Sequence, residues 1–213
     1  MPYFLSADIV IQHEAASRLL AQLDFIQIKP KTIWQLGDDT VFADLLRQRF
    51  PKAKIVTSAP KKPQKIDLVI SSVYLHRVDD LPTLLATIQH ALKPDGLLLF
   101  NCLGPDTLQA HRTGASPFLD MHDMGDMLVK QHFADAVVTM EYLTITYQDT
   151  DEGWQALATL QENFGDIHPQ SNAPFVFELI YGHAWRGKLP SQSTQANGTV
   201  YVDINTLLDK RNT

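Results

Sequence analysis

Small polar residues and one histidine follow an apolar run near the middle of the chain. Ser71 and Ser72 come directly after residues 66–70, and His76 lies shortly beyond them. Serine hydroxyls both donate and accept hydrogen bonds, and a histidine with its pKa near neutrality can serve as an acid or a base. The grouping predicts a polar ligand site, provided that the preceding run is a strand ending at an exposed edge of a sheet.

The run at 66–70 begins a predicted strand–helix–strand unit. It is apolar on both sides apart from Asp67, as expected of a parallel strand that helices cover on both faces. A helix is predicted next, because apolar residues recur at helical spacing after residue 80: Leu81, Leu84, Leu85, Ile88, Ala91 and Leu92. A second buried strand at 97–100 completes the unit.

Local signals set the ends of this helix. Asp79 or Asp80 can cap its N-terminus, and Pro82 suits its first turn. Pro94 cannot continue the helical hydrogen bonding, and Gly96 is expected to take a positive φ in the turn that follows.

The connection between the two strands is expected to be right-handed. Ligands in such sheets bind beyond the carboxyl ends of the strands. Residues 71–76 and 101–105 are therefore the predicted rim of the site.

The remaining patterns predict one α/β domain without repeats. Helices are predicted at 6–23, 42–50, 123–131, 151–164 and 205–210. Strands are predicted at 32–36, 53–57, 137–147, 175–181 and 199–204. The single domain spans 1–213, with an N-terminal helical lid region at 1–30, a core at 31–185 and a C-terminal loop with a short strand and helix at 186–213.

The composition is that of an ordinary globular domain. The 213 residues are 45% hydrophobic and 20% charged, with a net charge of −6. A negative charge argues against nucleic-acid binding, which normally uses a basic face. We find no apolar run long enough to span a membrane and no signal-peptide pattern at the start. The single cysteine, Cys102, allows no internal disulfide and fits a cytoplasmic location.

Six segments along most of the chain share a family resemblance: LDFIQIKPKTI, FPKAKIV, IDLVISSVYLHRVDDLPTLL, LKPDGLLLFNCLGPDTL, FLDMHDMGDMLVKQHFADAVVTMEYLTITY and FELIYGHAW. They resemble the class I S-adenosylmethionine (SAM) methyltransferases, and more narrowly the malonyl-[acyl-carrier protein] O-methyltransferases of biotin synthesis (the BioC type). The resemblance implies a Rossmann-like sheet, mostly parallel with an antiparallel last strand. It also implies a SAM pocket at the strand ends and a substrate carried by an acyl carrier protein.

The stretch that matches the family's cofactor turn is QLGDDTV. Glycine serves that turn because it tolerates positive φ and lets the backbone approach the methionine part of SAM. Gly37 is retained, and the resemblance implies that Gly37 and Asp38 contact the cofactor. Gln35 replaces the acidic residue at the end of the strand. The alternative is a plain turn in which Asp38 or Asp39 caps the next helix.

Three serines complete the cofactor residues that the resemblance implies. In the family an acidic residue ends the second strand and binds both ribose hydroxyls, as in dinucleotide sites. Ser58 stands at that position here and offers a single hydrogen bond, or is simply the end of a strand. Ser71 and Ser72 end the central strand beside the expected cofactor.

The chain is short between the second strand and the central unit. Family members have a helix and a further strand there, and the loop of that strand contacts the adenine. Residues 59–65 are too few for either element, so the sheet is expected to lack one strand–helix unit. The unpaired backbone at the new edge must be covered, which predicts a protective loop, self-association or a partner subunit.

Two residues are candidates for substrate binding. Arg112 matches a family arginine, and its guanidinium can hold a carboxylate with two hydrogen bonds, or it forms a surface salt bridge. His76 is either a substrate contact or a rim histidine. Methylation of a carboxylate needs no general base, because the ionised group is already the nucleophile. No catalytic residue is therefore assigned.

The basic connector and the remaining metal-binding residue types have simple interpretations. Lys61, Lys62 and Lys65 can attract an acidic carrier protein, or are merely solvated. Cys102 has no second cysteine and the histidines lack the spacing of ligands, so no metal site is predicted.

Two hypotheses about function remain open. In the first, the chain is an active SAM-dependent O-methyltransferase of malonyl-acyl carrier protein with an unconventional cofactor site. In the second, it is a catalytically inactive relative that acts as a binding or partner module. Binding of SAM to the purified protein distinguishes the two.

Overall fold

The computed structural model describes residues 7–37, 39–146, 173–187, 193–194 and 200–201. The helices are α1 (Ala7–Gln22), α2 (Thr40–Arg49), α3 (Leu81–Ala91) and α4 (Met121–Lys130). The strands are β1 (Thr32–Leu36), β2 (Lys54–Val56), β3 (Ile66–Ser71), β4 (Leu92–Leu103), β5 (Phe133–Ile145), β6 (Phe175–Arg186), β7 (Ser193–Thr194) and β8 (Val200–Tyr201). Alternating strands and helices confirm the predicted α/β class.

Six of these strands form one sheet in the order β2-β1-β3-β4-β6-β5. The strands β2, β1, β3 and β4 run parallel, whereas β6 is antiparallel to both of its neighbours. The predicted arrangement, mostly parallel with an antiparallel last strand, is therefore confirmed. The carboxyl ends of the four parallel strands lie along one edge of the sheet.

Side chains that alternate along the parallel strands fill two apolar layers. The first layer packs under α1 and α2 and includes Ile33, Leu68, Ile70, Leu97 and Leu99. The second packs under α3 and α4 and includes Trp34, Val69, Leu98 and Phe100. Helices on both faces explain why these strands read as continuous apolar runs in the sequence.

The predicted start of α3 is confirmed. The carboxylate of Asp80 accepts a hydrogen bond from the backbone N–H of Thr83 at 3.1 Å, and Pro82 lies in the first turn. The expectation for Gly96 is wrong, because Asp95 takes the positive φ of 59° in the turn before the buried part of β4. A Cβ on Gly96 would lie 2.8 Å from the carbonyl oxygen of Lys93, so close approach of the backbone is what requires glycine there.

Residues 57–65 contain neither helix nor strand. The sheet is therefore one strand–helix unit shorter than the resemblance implied, as expected. This leaves β2 at one edge, where it has three residues and begins with the exposed Lys54. Short edge strands that carry lysine resist pairing with other chains. Self-association or a partner subunit at this edge stays a prediction.

Some predicted elements lie outside the described residues. These are the helices at 151–164 and 205–210 and most of the strand at 199–204, of which Val200–Tyr201 pairs with Ser193–Thr194. In the part of the chain that the structure describes, no helix has both the length and the apolar character needed to cross a membrane.

Candidate functional site

The predicted rim lies along the carboxyl edge of the parallel strands. Gly37 follows β1 and Ser58 comes shortly after β2, whereas Ser71 ends β3 and Ser72 directly follows it. Ser71 and Ser72 are buried, whereas Ser58 is exposed. Asp38 falls outside the described residues. The structure thus brings Gly37, Ser71 and Ser72 to neighbouring strand ends, and Ser58 to the edge strand beside them.

Gly37 adopts a left-handed conformation that favours glycine, with a φ of 83°. A Cβ at this position would lie 3.1 Å from Cδ2 of Tyr74, whose partly buried side chain packs on the layer under α3 and α4. The close approach that a glycine permits is therefore made by the Tyr74 ring. In this conformation Tyr74 covers the turn.

Gln35 is hydrogen-bonded to the same turn. Its side chain is buried, and its Nε2 donates a hydrogen bond to the backbone carbonyl of Asp39 at 2.8 Å. An ionised carboxylate at this position could not donate that bond. Asp39 in turn caps α2 by accepting from the backbone N–H of Phe42 at 3.0 Å, as one alternative for this stretch predicted.

Three buried polar atoms at this edge have no hydrogen-bond partner among the described residues. They are Oε1 of Gln35, Oγ of Ser71 and Oγ of Ser72. Buried polar groups are normally paired, so each of these needs an explanation in a native structure. A small polar ligand or ordered water between the ends of β1 and β3 would satisfy them.

Asn101 organises the loop that follows β3. The predicted rim loop at 101–105 begins later than expected, since Asn101 is fully buried within β4. Its Oδ1 accepts from the backbone N–H of Val73 at 2.8 Å, and its Nδ2 donates to the carbonyl of Ala15 at 2.8 Å. One amide therefore joins β4, the β3 loop and α1.

Glu178 is a rim residue that the sequence reasoning missed. It lies on β6 with 3% of its surface exposed, and Oε2 accepts from the backbone N–H of Asp106 at 2.7 Å. Burial raises the pKa of this carboxyl; the hydrogen bond from Asp106 N–H opposes the rise, and the negative charges of Asp106 and Asp120 add to it. A single acid inside the apolar run FVFELIY was the available signal, because buried carboxylates are rare unless they are partnered.

Arg112 binds the loop after β4. Its guanidinium donates to the carbonyls of Pro105 at 2.8 Å and Thr107 at 3.4 Å, and to Oγ of Ser116 at 3.0 Å. These contacts fix the loop between β4 and α4. The Nε of Arg112 is buried and has no hydrogen-bond partner among the described residues. A role in holding a substrate carboxylate stays a prediction.

His76 lies in a 3₁₀ turn, Leu75–Arg77, between β3 and α3. Its Nδ1 accepts from the backbone N–H of Leu103 at 3.5 Å, and its ring meets the edge of Phe118 at 5.2 Å between centroids. Burial, with a smaller contribution from Arg77, lowers the pKa of His76 to about 3. The expectation of a near-neutral pKa is wrong, and the imidazole is uncharged at pH 7.

Positive charge is concentrated in one part of the chain. Residues 25–66 hold nine of the 18 Lys and Arg residues but three of the 24 Asp and Glu residues. Lys61, Lys62 and Lys65 are exposed. Lys65 directly precedes β3 and so lies at the edge of the sheet opposite to the rim, whereas Lys61 and Lys62 lie in the connector that leaves the carboxyl end of β2.

Metal ligands are not grouped in the described residues, where no three His, Cys, Asp or Glu side chains come together. Cys102 is buried, and burial raises the pKa of its thiol to about 12. It is therefore an uncharged, packed side chain.

Comparison with known proteins fits this architecture. A family model described as a methyltransferase domain matches residues 13–155. Among solved structures, phosphoethanolamine N-methyltransferase 2 of Haemonchus contortus, in complex with phosphomonomethylethanolamine and S-adenosylhomocysteine, is similar with a TM-score of 0.53 and 13% identity, covering 81% of this chain and 53% of that chain. A SAM-dependent methyltransferase of Archaeoglobus fulgidus is similar with a TM-score of 0.50 and 15% identity, covering 82% and 94%. The fold is that of the class I methyltransferases.

Relatives in sequence show which methyltransferases this chain resembles. A malonyl-[acyl-carrier protein] O-methyltransferase of Gallionella capsiferriformans is 28% identical, over 92% of this chain and 90% of that protein. Malonyl-[acyl-carrier protein] O-methyltransferase 1 of Coxiella burnetii is 31% identical, over 88% of this chain and 86% of that protein. The chain belongs to the methyltransferase domain family and resembles these enzymes within it. The alignment with the Gallionella protein spans 263 positions, more than the 213 residues of this chain, so that protein carries residues with no counterpart here.

The described residues do not fit SAM in the way that the family binds it. Tyr74 covers the turn at Gly37, and the exposed Ser58 stands where the resemblance places a ribose-binding carboxylate. The strand whose loop would contact the adenine is absent between β2 and β3. What remains is a polar floor at Gln35, Ser71 and Ser72.

Proposed function

We propose that this protein is a reduced relative of the malonyl-[acyl-carrier protein] O-methyltransferases that acts by binding an acyl carrier protein, and that the isolated chain does not carry out robust methyl transfer from SAM. Membership of the methyltransferase domain family supports the relationship to these enzymes. The closed cofactor turn supports the loss of methyl transfer.

One observation supports the loss of methyl transfer, the contact between Tyr74 and the turn at Gly37. A ligand that needs the backbone of this turn must first displace the ring. Displacement exposes an aromatic side chain that now packs on the apolar layer under α3 and α4, which costs free energy. Without a carboxylate at Ser58 for the ribose, little binding energy offsets that cost.

The second candidate is an active SAM-dependent O-methyltransferase of malonyl-acyl carrier protein in biotin synthesis. It is favoured by the φ of 83° that Gly37 retains and by the unpaired buried oxygens of Gln35, Ser71 and Ser72. A ligand at the strand ends would pair these atoms. In this candidate Tyr74 swings away when the cofactor enters.

Calorimetric titration with SAM and with S-adenosylhomocysteine distinguishes the two candidates. We expect neither heat nor thermal shift for the wild-type chain at millimolar ligand. Tyr74→Ala is expected to gain measurable binding of S-adenosylhomocysteine, whereas Phe25→Ala, which removes an exposed aromatic from another part of the surface, is not. Micromolar binding by the wild type would overturn the proposal, and methyl transfer to malonyl-acyl carrier protein would then be assayed.

The proposed carrier-protein partner has its own test. Acidic partners are attracted by exposed lysines over long range, and this attraction weakens with salt. We expect Lys61→Glu/Lys62→Glu to weaken binding of malonyl-acyl carrier protein at low salt by about tenfold, and Lys130→Glu on α4 to leave it unchanged. Equal affinity of all three proteins would remove the carrier protein as a partner.

A second chain at the β2 edge is a further partner proposal. Either a second copy or a partner subunit would cover the unpaired side of β2. β2 has only three residues, so it offers little backbone for such pairing, and the charge of Lys54 disfavours it further. Sedimentation at micromolar concentration tests it, since a monomer would exclude the self-association.

A further inference from the structure

A cavity of about 270 Å³ lies beside the rim, at the carboxyl ends of β3 and β4. Its walls come from the 3₁₀ turn after β3, the start of α3, the end of β4, the segment before α4, and α4 itself. Most of its buried wall residues belong to the layer under α3 and α4, whereas Leu103 and Phe118 belong to the layer under α1 and α2. The cavity therefore adjoins the site at Gly37 but is formed by different residues.

The walls of the cavity are mainly apolar. They include Leu75, Leu81, Leu103, Phe118, Met124 and Met127. Methionine side chains are flexible and polarizable, and they adapt to apolar ligands of different shape. The volume is nearly twice that of the roughly 150 Å³ apolar cavity that binds benzene, which allows a ligand on the order of ten non-hydrogen atoms.

The two buried polar groups in the wall, His76 and Cys102, carry no charge at pH 7. Burial lowers the pKa of His76 to about 3 and raises that of Cys102 to about 12, so the imidazole and the thiol are both neutral. The Nε2 of His76 is buried and has no hydrogen-bond partner among the described residues. Neither group offers the positive charge that a carboxylate or phosphate would need.

The one carboxylate in the lining is that of Asp79, an exposed residue just before α3. A negative charge near the opening disfavours an anionic ligand and leaves a neutral one unaffected. The charge of Asp79 and the apolar wall therefore both favour an uncharged ligand over an anionic one.

We propose that this cavity is a binding site for an uncharged alkyl chain of medium length. Such a chain fills the apolar volume, contacts Met124 and Met127, and needs no polar partner inside. The chain belongs either to a free lipid-like molecule or to an acyl group held as a thioester. The inference does not depend on methyl transfer, because it uses none of the residues at the Gly37 turn.

Methyl NMR of the full chain tests the proposal directly. With [methyl-¹³C]methionine, 1-octanol is expected to shift the resonances of Met124 and Met127 and to leave Met140 on β5 unchanged. Octanoate, which has the same chain with a negative charge, is expected to bind at least tenfold more weakly at pH 7. Absence of shifts at Met124 and Met127 near saturating 1-octanol would overturn the proposal, and so would equal affinity for the two ligands.

Two tryptophan variants locate the site. Leu119 lines the cavity and is 36% exposed, whereas Val129 on α4 is 63% exposed and does not line it. Leu119→Trp is expected to lower the affinity for 1-octanol about tenfold, and Val129→Trp to leave it unchanged. Equal effects of the two variants would contradict the assignment to this cavity.

A third ligand identifies the source of the chain. Octanoyl-pantetheine carries the same chain as a thioester, and binding tighter than that of 1-octanol would support an acyl group on a carrier. Tighter binding of 1-octanol would support a free molecule.

Discussion

The side-chain oxygen of Asn101 accepts a hydrogen bond from the backbone N–H of Val73 at 2.8 Å, and Val73 adopts a φ of 47°. A β-branched residue rarely adopts this left-handed conformation, and such strain persists only where the surroundings enforce it. The backbone carbonyl of Asn101 also accepts from Val73 N–H at 3.2 Å. Asn101 thus holds the strained start of the loop that places Tyr74 over Gly37.

Asn101→Ala is expected to lower the free energy of unfolding by about 1–3 kcal/mol, because it removes two buried hydrogen bonds, to Val73 and to Ala15. Urea denaturation measures the loss. Gln48→Ala, at an exposed position on α2, serves as the control and is expected to change stability by less than about 0.5 kcal/mol. A loss no larger than that of the control would show that Asn101 does not hold the loop.

Gly37→Ala is expected to cost more stability than Gly114→Ala. Both glycines have positive φ, 83° and 88°, so both variants bear the same kind of backbone strain, about 1–3 kcal/mol. Only the Cβ at position 37 meets another side chain, since nothing lies within 4 Å of the one at position 114. The difference in unfolding free energy between the two variants measures the contact with Tyr74. Adding Tyr74→Ala to both variants should shrink that difference, and an unchanged difference would argue against the contact.

Glu178→Gln is expected to become more stable relative to the wild type as the pH rises. Burial raises the pKa of Glu178 in the folded state above its ordinary value. The folded chain therefore holds a proton that the unfolded chain releases, so the wild type loses stability as the pH rises from the ordinary range of a glutamate through the raised pKa. The amide oxygen of glutamine can still accept from the N–H of Asp106. Thermal unfolding from pH 4 to pH 8 checks this, and parallel curves for the two proteins would refute it.

His76 is expected to remain uncharged in the folded chain down to about pH 4. Its folded pKa of about 3 lies below its ordinary value of 6.5, so the unfolded chain takes up a proton first and stability is lost as the pH falls below 6.5. The loss amounts to about 1.4 kcal/mol for each pH unit between the two pKa values. His76→Gln should remove this part of the pH dependence. The ¹³Cε1 shift of His76 between pH 8 and pH 4 gives a direct measurement, and titration near that of free imidazole would contradict the burial.

Among the described residues, the sequence by itself determined the order of the main helices and strands, although the last three strands of the main sheet are longer than predicted or shifted. Continuous apolar runs set β1 and β3 within a residue of the predicted bounds, because strands covered on both faces must be apolar throughout. Asp80 and Pro82 set the start of α3, because capping depends on residues that are neighbours in the chain. The short connector at 59–65 showed that a strand–helix unit was missing, because chain length limits what a segment can form.

Only the tertiary structure decided what occupies the site. Tyr74 contacts the turn at Gly37, and Glu178 accepts a hydrogen bond from the backbone of Asp106. Both contacts join residues distant in sequence, and no local pattern specifies which partner is met. The pKa of His76 depends on how many neighbours exclude water from its ring, which follows from the packing of β4 and the segment before α4. Asp95 takes the positive φ of the turn, and Gly96 is required there by the close approach of the Lys93 carbonyl, which a sequence pattern does not specify. The fold follows from local patterns and the family from resemblance between sequences, whereas access to the site follows from how distant side chains pack.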